Sequence, residues 1–213
     1  VHAAGVVLSS TGGGEGSEGA PPARRPQGQS RRSFEKGKRS VQWKAEDSNN
    51  DSMVYEVFFK AEDETLWKPL AHDLEEEFTS WDATAMPDGV YRIQVIASDA
   101  PSNPPGTALT SSHLSPAFDV DNTPPVVGAI EARLQSRTAQ VKVTVTDSFS
   151  VVGDVAYSLD ADDWITVLPE DRIADSMKES YLFRTPELAP GEHTITVRAR
   201  DRAGNTADNK DVL

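Results

Sequence analysis

The chain has 213 residues and no cysteine. That absence excludes disulfides, thiolate metal sites and cysteine nucleophiles together. Stability must then come from core burial, which a module of about 90–100 residues can supply. Histidine is scarce: His2, His72, His113 and His193 are the whole set, and no two stand at metal-ligand spacing. There is no Gly-x-Ser-x-Gly elbow for a hydrolase triad. Long apolar runs are missing too, and none approaches the roughly 18 residues of a membrane span. Neither an initial methionine nor a signal-peptide pattern is present, so the expectation is a fragment or a processed chain. Helix signals are nearly absent: Leu70 to Phe78 and Asp171 to Glu179 are each long enough for one helical turn. With no catalytic constellation in view, the expectation is a protein that is not an enzyme.

What is present is acidic. The net charge is −13, but residues 24–44 carry eight basic side chains against Glu35 alone. The rest of the chain is therefore strongly negative, which argues against nucleic acid as a partner. Residues 11–30 are Gly, Ser, Pro, Arg and Gln with almost no apolar content. Such a composition cannot bury a core and reads as a flexible segment. The glycine run Gly12 to Gly19 belongs to it, with no helix behind it to receive a phosphate. The apolar run Ala3 to Leu8 ahead of it is read as the tail of a preceding domain, with a strand as the alternative.

From Ser33 onward the texture is short alternating strands. Val41, Trp43 and Ala45 share one face, as do Tyr55, Val57 and Phe59. Tyr91, Ile93, Val95 and Ala97 alternate cleanly, and so do Ala139, Val141, Val143 and Val145. This period of two is the signature of a strand with one buried face. The pattern also occurs twice. Gly89, Ile93, Val95, Ala97, Asp99 and Asn103 recur 102 residues later as Gly191, Ile195, Val197, Ala199, Asp201 and Asn205. At the same offset Val41 meets Val143, Tyr55 meets Tyr157, Trp81 meets Phe183 and Met86 meets Leu188. A self-match near 100 residues implies two copies of one sandwich-sized module with one strand order. Thr123-Pro-Pro125 stiffens the join.

These landmarks resemble fibronectin type III modules, within the Ig-like sandwiches. The likeness is carried by Trp43 in the second strand, Tyr55 early in the third and Asp88-Gly-Val-Tyr91 entering the sixth. In the second copy Val145 stands near the Trp position and His193 replaces the Tyr. That copy, with Tyr157 and Asp201-Arg-Ala-Gly-Asn205, looks more like the Ig-like repeats of bacterial surface and secreted proteins. The resemblance implies an all-β chain of two tandem antiparallel β-sandwiches. Its expected division is an irregular segment 1–32, a fibronectin type III-like sandwich 33–122 and an Ig-like sandwich 123–213. It further implies a non-catalytic accessory pair of an exported bacterial protein, extracellular or periplasmic, without a cofactor. The pair would position a neighbouring domain of the same polypeptide or bind a protein or glycan. Tyr91 is expected to form a tyrosine corner, with its ring packed inward and its hydroxyl on a nearby backbone group.

The alternative is a calcium-stiffened, adhesion-type tandem. Hard cations take oxygen ligands, and loops at sandwich ends gather them. Asp99, Asp119, Asp121 and Asn122 are the candidate set, with Asp99 ending a strand and the others in the linker. Asp160, Asp162 and Asp163 read instead as a solvated hairpin turn. Trp67, Trp81 and Trp164 are expected to pack in the core rather than to form a docking face.

Overall fold

The computed structural model describes residues 2–7 and 37–213. The flexible reading of residues 11–30 therefore lies outside the described residues. The chain divides into two compact units after Val120, two residues ahead of the expected boundary. The strands of the first unit are β1 His2–Val7, β2 Lys38–Glu46, β3 Val54–Ala61, β4 Lys68–Leu74, β5 Phe78–Asp82, β6 Gly89–Ser98, β7 Thr110–Leu114 and β8 Phe118–Val120. Those of the second are β9 Val126–Val127, β10 Glu131–Gln135, β11 Thr138–Thr146, β12 Val152–Leu159, β13 Ile165–Val167, β14 Lys178–Arg184, β15 Thr194–Asp201 and β16 Thr206–Val212.

Both units are antiparallel sandwiches with one plan. The first has a sheet β1-β2-β5 and a sheet β4-β3-β6-β7, with β8 on the start of β6. The second has β10-β11-β14, with β9 on β11, and β13-β12-β15-β16. Apart from β8 and β9, which have no counterpart in the other unit, these orders are the same strand for strand. In each, the short fourth strand joins the third and leaves the sheet it would share with the fifth in an antibody constant domain. The fold is all-β, of fibronectin type III and Ig-like character.

Period-two burial builds each core. In the first unit Val41, Trp43, Ala45, Tyr55, Val57, Ile93, Val95 and Ala97 are all buried, and the ring of Trp43 meets Tyr55 edge-on at 5.4 Å. In the second, Val141, Val143 and Val145 of β11 pack with Tyr157, Tyr181 and Ile195. Each core spans both sheets of its unit, so the facing strands are held by apolar burial.

Three expectations are corrected. First, His2–Val7 is a strand of the first sandwich, antiparallel to β2, rather than part of an irregular segment or the tail of another domain. Residues 8–37 thus fall between its first two strands, where the second unit has only Ser136 and Arg137. Second, Leu70 to Phe78 carries strand, and the only helical turns among the described residues are the 3-10 segments Ala83–Ala85 and Ala100–Ser102. Third, the 102-residue offset is not held without slippage. It holds across β2/β5 and β11/β14, where Val41 faces Thr79 and Val143 faces Tyr181. It slips by two in the other sheet, where Tyr55 faces Ala97 but Tyr157 faces Val197, the counterpart of Val95. The connection before β12 is two residues shorter than that before β3. A slip of two keeps every side chain on its face, so both cores survive it.

Candidate functional site

Three aspartates of the second sandwich come together. Asp121 opens the unit, Asp147 follows β11 and Asp201 closes β15. One carboxylate oxygen from each lies within 4.8 Å of the other two. Asp121 and Asp201 are only 9% and 3% exposed, and Asp147 is half-buried.

Local sequence explains how each is held. Asp201-Arg-Ala-Gly-Asn205 forms a tight turn in which Gly204 N–H donates to the Asp201 carbonyl. Gly204 takes φ +91°, a conformation that favours glycine. Asp201 accepts from the Asn205 backbone N–H at 2.8 Å and from its side-chain amide at 2.9 Å. The same amide reaches the carbonyls of Asp121 at 3.1 Å and Thr123 at 3.3 Å. The entry of the unit is thereby pinned to the end of β15. Asp147 Oδ1 accepts from the N–H groups of Phe149 and Ser150, an Asx turn. Asp121 Oδ1 accepts from Thr123 N–H at 3.1 Å.

Those bonds occupy one oxygen of Asp121 and one of Asp147. Their Oδ2 atoms, and the Ser150 hydroxyl, are buried without a hydrogen-bond partner. A buried polar atom left unsatisfied costs roughly 1–3 kcal/mol. Like charges at 4.8 Å add repulsion of roughly 3–4 kcal/mol per pair at an effective dielectric of about 20. Asp121 responds as expected. Burial above all raises its pKa, and the Asp201 and Asp147 charges add to the rise against the nearby Ser150 hydroxyl and the Thr123 N–H. The hydroxyl is close enough to act on the carboxylate without sitting in hydrogen-bond geometry. No ion pair among the described residues involves these three aspartates.

The expected calcium set does not assemble. Asp119 pairs with Val90 at the start of β6, whereas Asp99 follows Ser98 at its far end. Nine residues of strand, about 30 Å, separate them. Asp99 is buried and spends its carboxylate on Leu109 N–H at 2.7 Å. Asp119 is exposed, and its carbonyl accepts from Arg39. Asp121 does join a cluster, with the second-copy counterpart of Asp99. Asn122, next to it in sequence, is half-buried.

The corner positions are matched in geometry. Tyr91 packs its ring inward, and its hydroxyl donates to the Pro87 carbonyl at 2.8 Å. His193 Nε2 makes the equivalent bond to the Ala189 carbonyl at 2.9 Å, four residues back in each case. Its Nδ1 meets Asp160 at 2.6 Å. Both neighbours are acceptors, so the imidazolium, with two N–H donors, fits the site. The Asp160 bond first, then the Ala189 carbonyl, raise the His193 pKa, and the histidine holds Asp160 below its ordinary range. Asp160 and Ala161 turn the hairpin with φ 52° and 63°.

The tryptophans separate. Trp81 is half-buried and meets Phe118 edge-on at 6.2 Å. Trp67 is half-buried under the Lys60 ammonium. Trp164 is not a core residue: it is 43% exposed, with the Arg198 guanidinium 4.2 Å over its ring. Asp208 holds that guanidinium with two bonds of 2.8 Å. The solvent side of β12/β15/β16 explains the difference, because Arg198 and Asp208 pair across the sheet there.

No protein-family profile matches the chain, and no curated protein matches it in sequence. Among solved structures it is similar to the FN1–FN3 domains of chicken CNTN1, with 17% identity and a TM-score of 0.36, over 84% of this chain and 62% of that one. It is also similar to dimeric latent PorU from Porphyromonas gingivalis, with 16% identity and a TM-score of 0.38, over 82% of this chain and 21% of that one. The chain thus spans about three-fifths of the first and one-fifth of the second.

Sequence reasoning missed Asp147 and the role of Asp201. Asp201 carried a signal, because it ends a strand in the repeated motif. Asp147-Ser-Phe-Ser150 carried none, since its place depends on how the sheets stack.

Proposed function

We propose that the chain is a non-catalytic accessory module pair of an exported bacterial protein, extracellular or periplasmic. It positions a neighbouring domain of its polypeptide or binds a protein or glycan partner. The observation that carries this reading is the stack of Trp164, Arg198 and Asp208 on the second sandwich. An exposed indole braced by a fixed guanidinium is a flat, rigid docking face, and its binding costs little side-chain entropy. Ile165 and Leu168, 42% and 64% exposed, extend the apolar surface beside it in sequence. In the first sandwich an open groove beside Tyr91, lined by Phe59, Lys68 and Met86, offers a lesser surface.

The test is a screen of the full chain against glycans and against neighbouring segments of its own polypeptide. Trp164→Ala is expected to lose at least about tenfold in affinity, with the melting temperature unchanged. Binding that is indifferent to Trp164→Ala would remove the basis of this reading. A second reading, the calcium-stiffened adhesion-type tandem, draws support from Asp121, Asp147 and Asp201 rather than from the linker set.

A further inference from the structure

We propose that Asp121, Asp147 and Asp201 form a binding site for a hard divalent cation, calcium before magnesium, inside the second sandwich. The site needs nothing of the tandem arrangement, because all three residues belong to one unit.

Three independent features converge. The first is spacing. Oxygens that all lie within 4.8 Å of one another are within the span of one calcium shell, since two ligands at about 2.4 Å stand at most about 4.8 Å apart. Magnesium demands near-ideal octahedral geometry and gives up its waters reluctantly, so side chains gathered from three separate segments suit calcium better. The second is unmet bonding capacity. Asp121, nine-tenths buried, keeps Oδ2 without a donor in hydrogen-bond geometry, its near neighbour being the Ser150 hydroxyl, and Asp147 Oδ2 has no such donor either. Turn geometry accounts for their Oδ1 atoms and leaves the Oδ2 atoms unexplained. The Ser150 hydroxyl, also buried and unpartnered, adds a fourth hard oxygen in the same loop as Asp147. The third is donor chemistry. Carboxylate and hydroxyl oxygens without imidazole or thiolate suit calcium, magnesium or manganese and disfavour zinc and copper.

A cation there would do structural work. Asp121 sits at the entry of the unit, Asp147 in the β11–β12 connection and Asp201 at the end of β15. One ion would cross-link three chain segments drawn from both sheets and cancel the repulsion among their carboxylates. Three carboxylates and the Ser150 hydroxyl would supply at least four of the six to eight oxygen ligands calcium takes, with water as the remainder.

The competing account is a proton shared among the carboxylates, and one experiment separates the two. The full chain is stripped with chelator, checked by circular dichroism for its β signal, and titrated with calcium by calorimetry at neutral pH. One saturable event is expected, together with a melting temperature raised by several degrees in millimolar calcium. Asp147→Asn, which keeps shape and an acceptor for the turn, is expected to weaken calcium at least about tenfold. Asp121→Asn serves as the second variant if the first does not fold. Asp119→Asn, on β8 of the other sandwich, is expected to bind calcium as the parent does. Trp164→Ala is too, which keeps this test separate from that of the docking face. No heat and no melting shift in a folded chain would overturn the proposal. So would stabilisation that follows pH alone, affinity unchanged in both Asn variants, or zinc bound in preference to calcium.

Discussion

The two sandwiches share a strand order but differ in where they put their bulk and their polar groups. In the first, Trp43 fills the core from β2, and Thr79 across the sheet is small. In the second, Val145 stands near the Trp43 position, and the large residue is Tyr181, fully buried at the counterpart of Thr79. Volume has moved from one strand to its neighbour while the register between them stayed fixed. The polar ends differ in the same way. Asp99 meets Leu109 across a long loop that contains a 3-10 turn, whereas Asp201 is closed onto Asn205 four residues on. That short turn brings Asp201 to Asp121 and Asp147. The comparison teaches that the scaffold tolerates exchange of side-chain volume, and that the distinctive polar chemistry belongs to the second copy.

The largest break is expected in the cores. Trp43→Ala should destabilise the first sandwich by about 3–5 kcal/mol, and Tyr181→Ala should do comparable damage to the second. Val145→Ala should cost clearly less than Trp43→Ala. Denaturant unfolding of the full chain checks this, and equal losses at 43 and 145 would break the idea of moved volume. Next come the turn amides. Asn205→Ala should cost about 2 kcal/mol, because it strips buried bonds to Asp201, Asp121 and Thr123. Asn103→Ala, whose amide serves Asp99 and Asp51 in a half-buried setting, should cost about 1 kcal/mol or less.

Two hydroxyl deletions sharpen the contrast further. Tyr91→Phe should cost about 1 kcal/mol, the net worth of its bond to Pro87. Tyr181→Phe should be neutral or stabilising, since the Tyr181 hydroxyl is buried without a partner and burial drives its pKa far up. A loss at 181 equal to that at 91 would mean the hydroxyl has found a donor or acceptor in solution.

The smallest effect is in pH. The His193 pKa is raised above its ordinary 6.5, so its contribution is complete below about that pH and fades as pH rises through the raised value. The Asp160 pKa is lowered from 3.8, so its contribution holds above that pH and fades as pH falls through the lowered value. The second sandwich should therefore gain most from this pair between about pH 4 and 6.5 and lose the gain as pH rises through the raised histidine value. The melting difference between the parent and His193→Tyr measures it. The Tyr91 corner shows no such step, because burial pushes its hydroxyl above 10. A flat profile in the parent would show that the imidazole stays neutral.

Much of the fold was legible because its central strands alternate strictly. β2, β6, β11 and β15 bury every second residue, and their apolar positions could be read directly. The edge strands were not legible. β7, β10 and β16 have no fully buried residue, and their half-buried positions show no apolar period in the sequence. β1 escaped because about thirty residues separate it from its partner, and sequence distance carries no pairing signal. At the candidate site Asp121 was legible as a linker carboxylate. Asp99 suggests itself as a partner because it ends a strand, but the register of β8 on β6 sends Asp99 and Asp119 to opposite ends of one strand. The counterpart in the second copy was the right one. Asp147 required the stacking of two sheets, which no local pattern encodes.

Amide hydrogen exchange on the full chain, with and without millimolar calcium, tests the division of labour between the sandwiches most directly. The account predicts added protection at residues 121–123, 147–150 and 201–205, and none at 99–103 or 118–120. Protection that appears at the first-copy positions, or an unchanged pattern throughout, would contradict it.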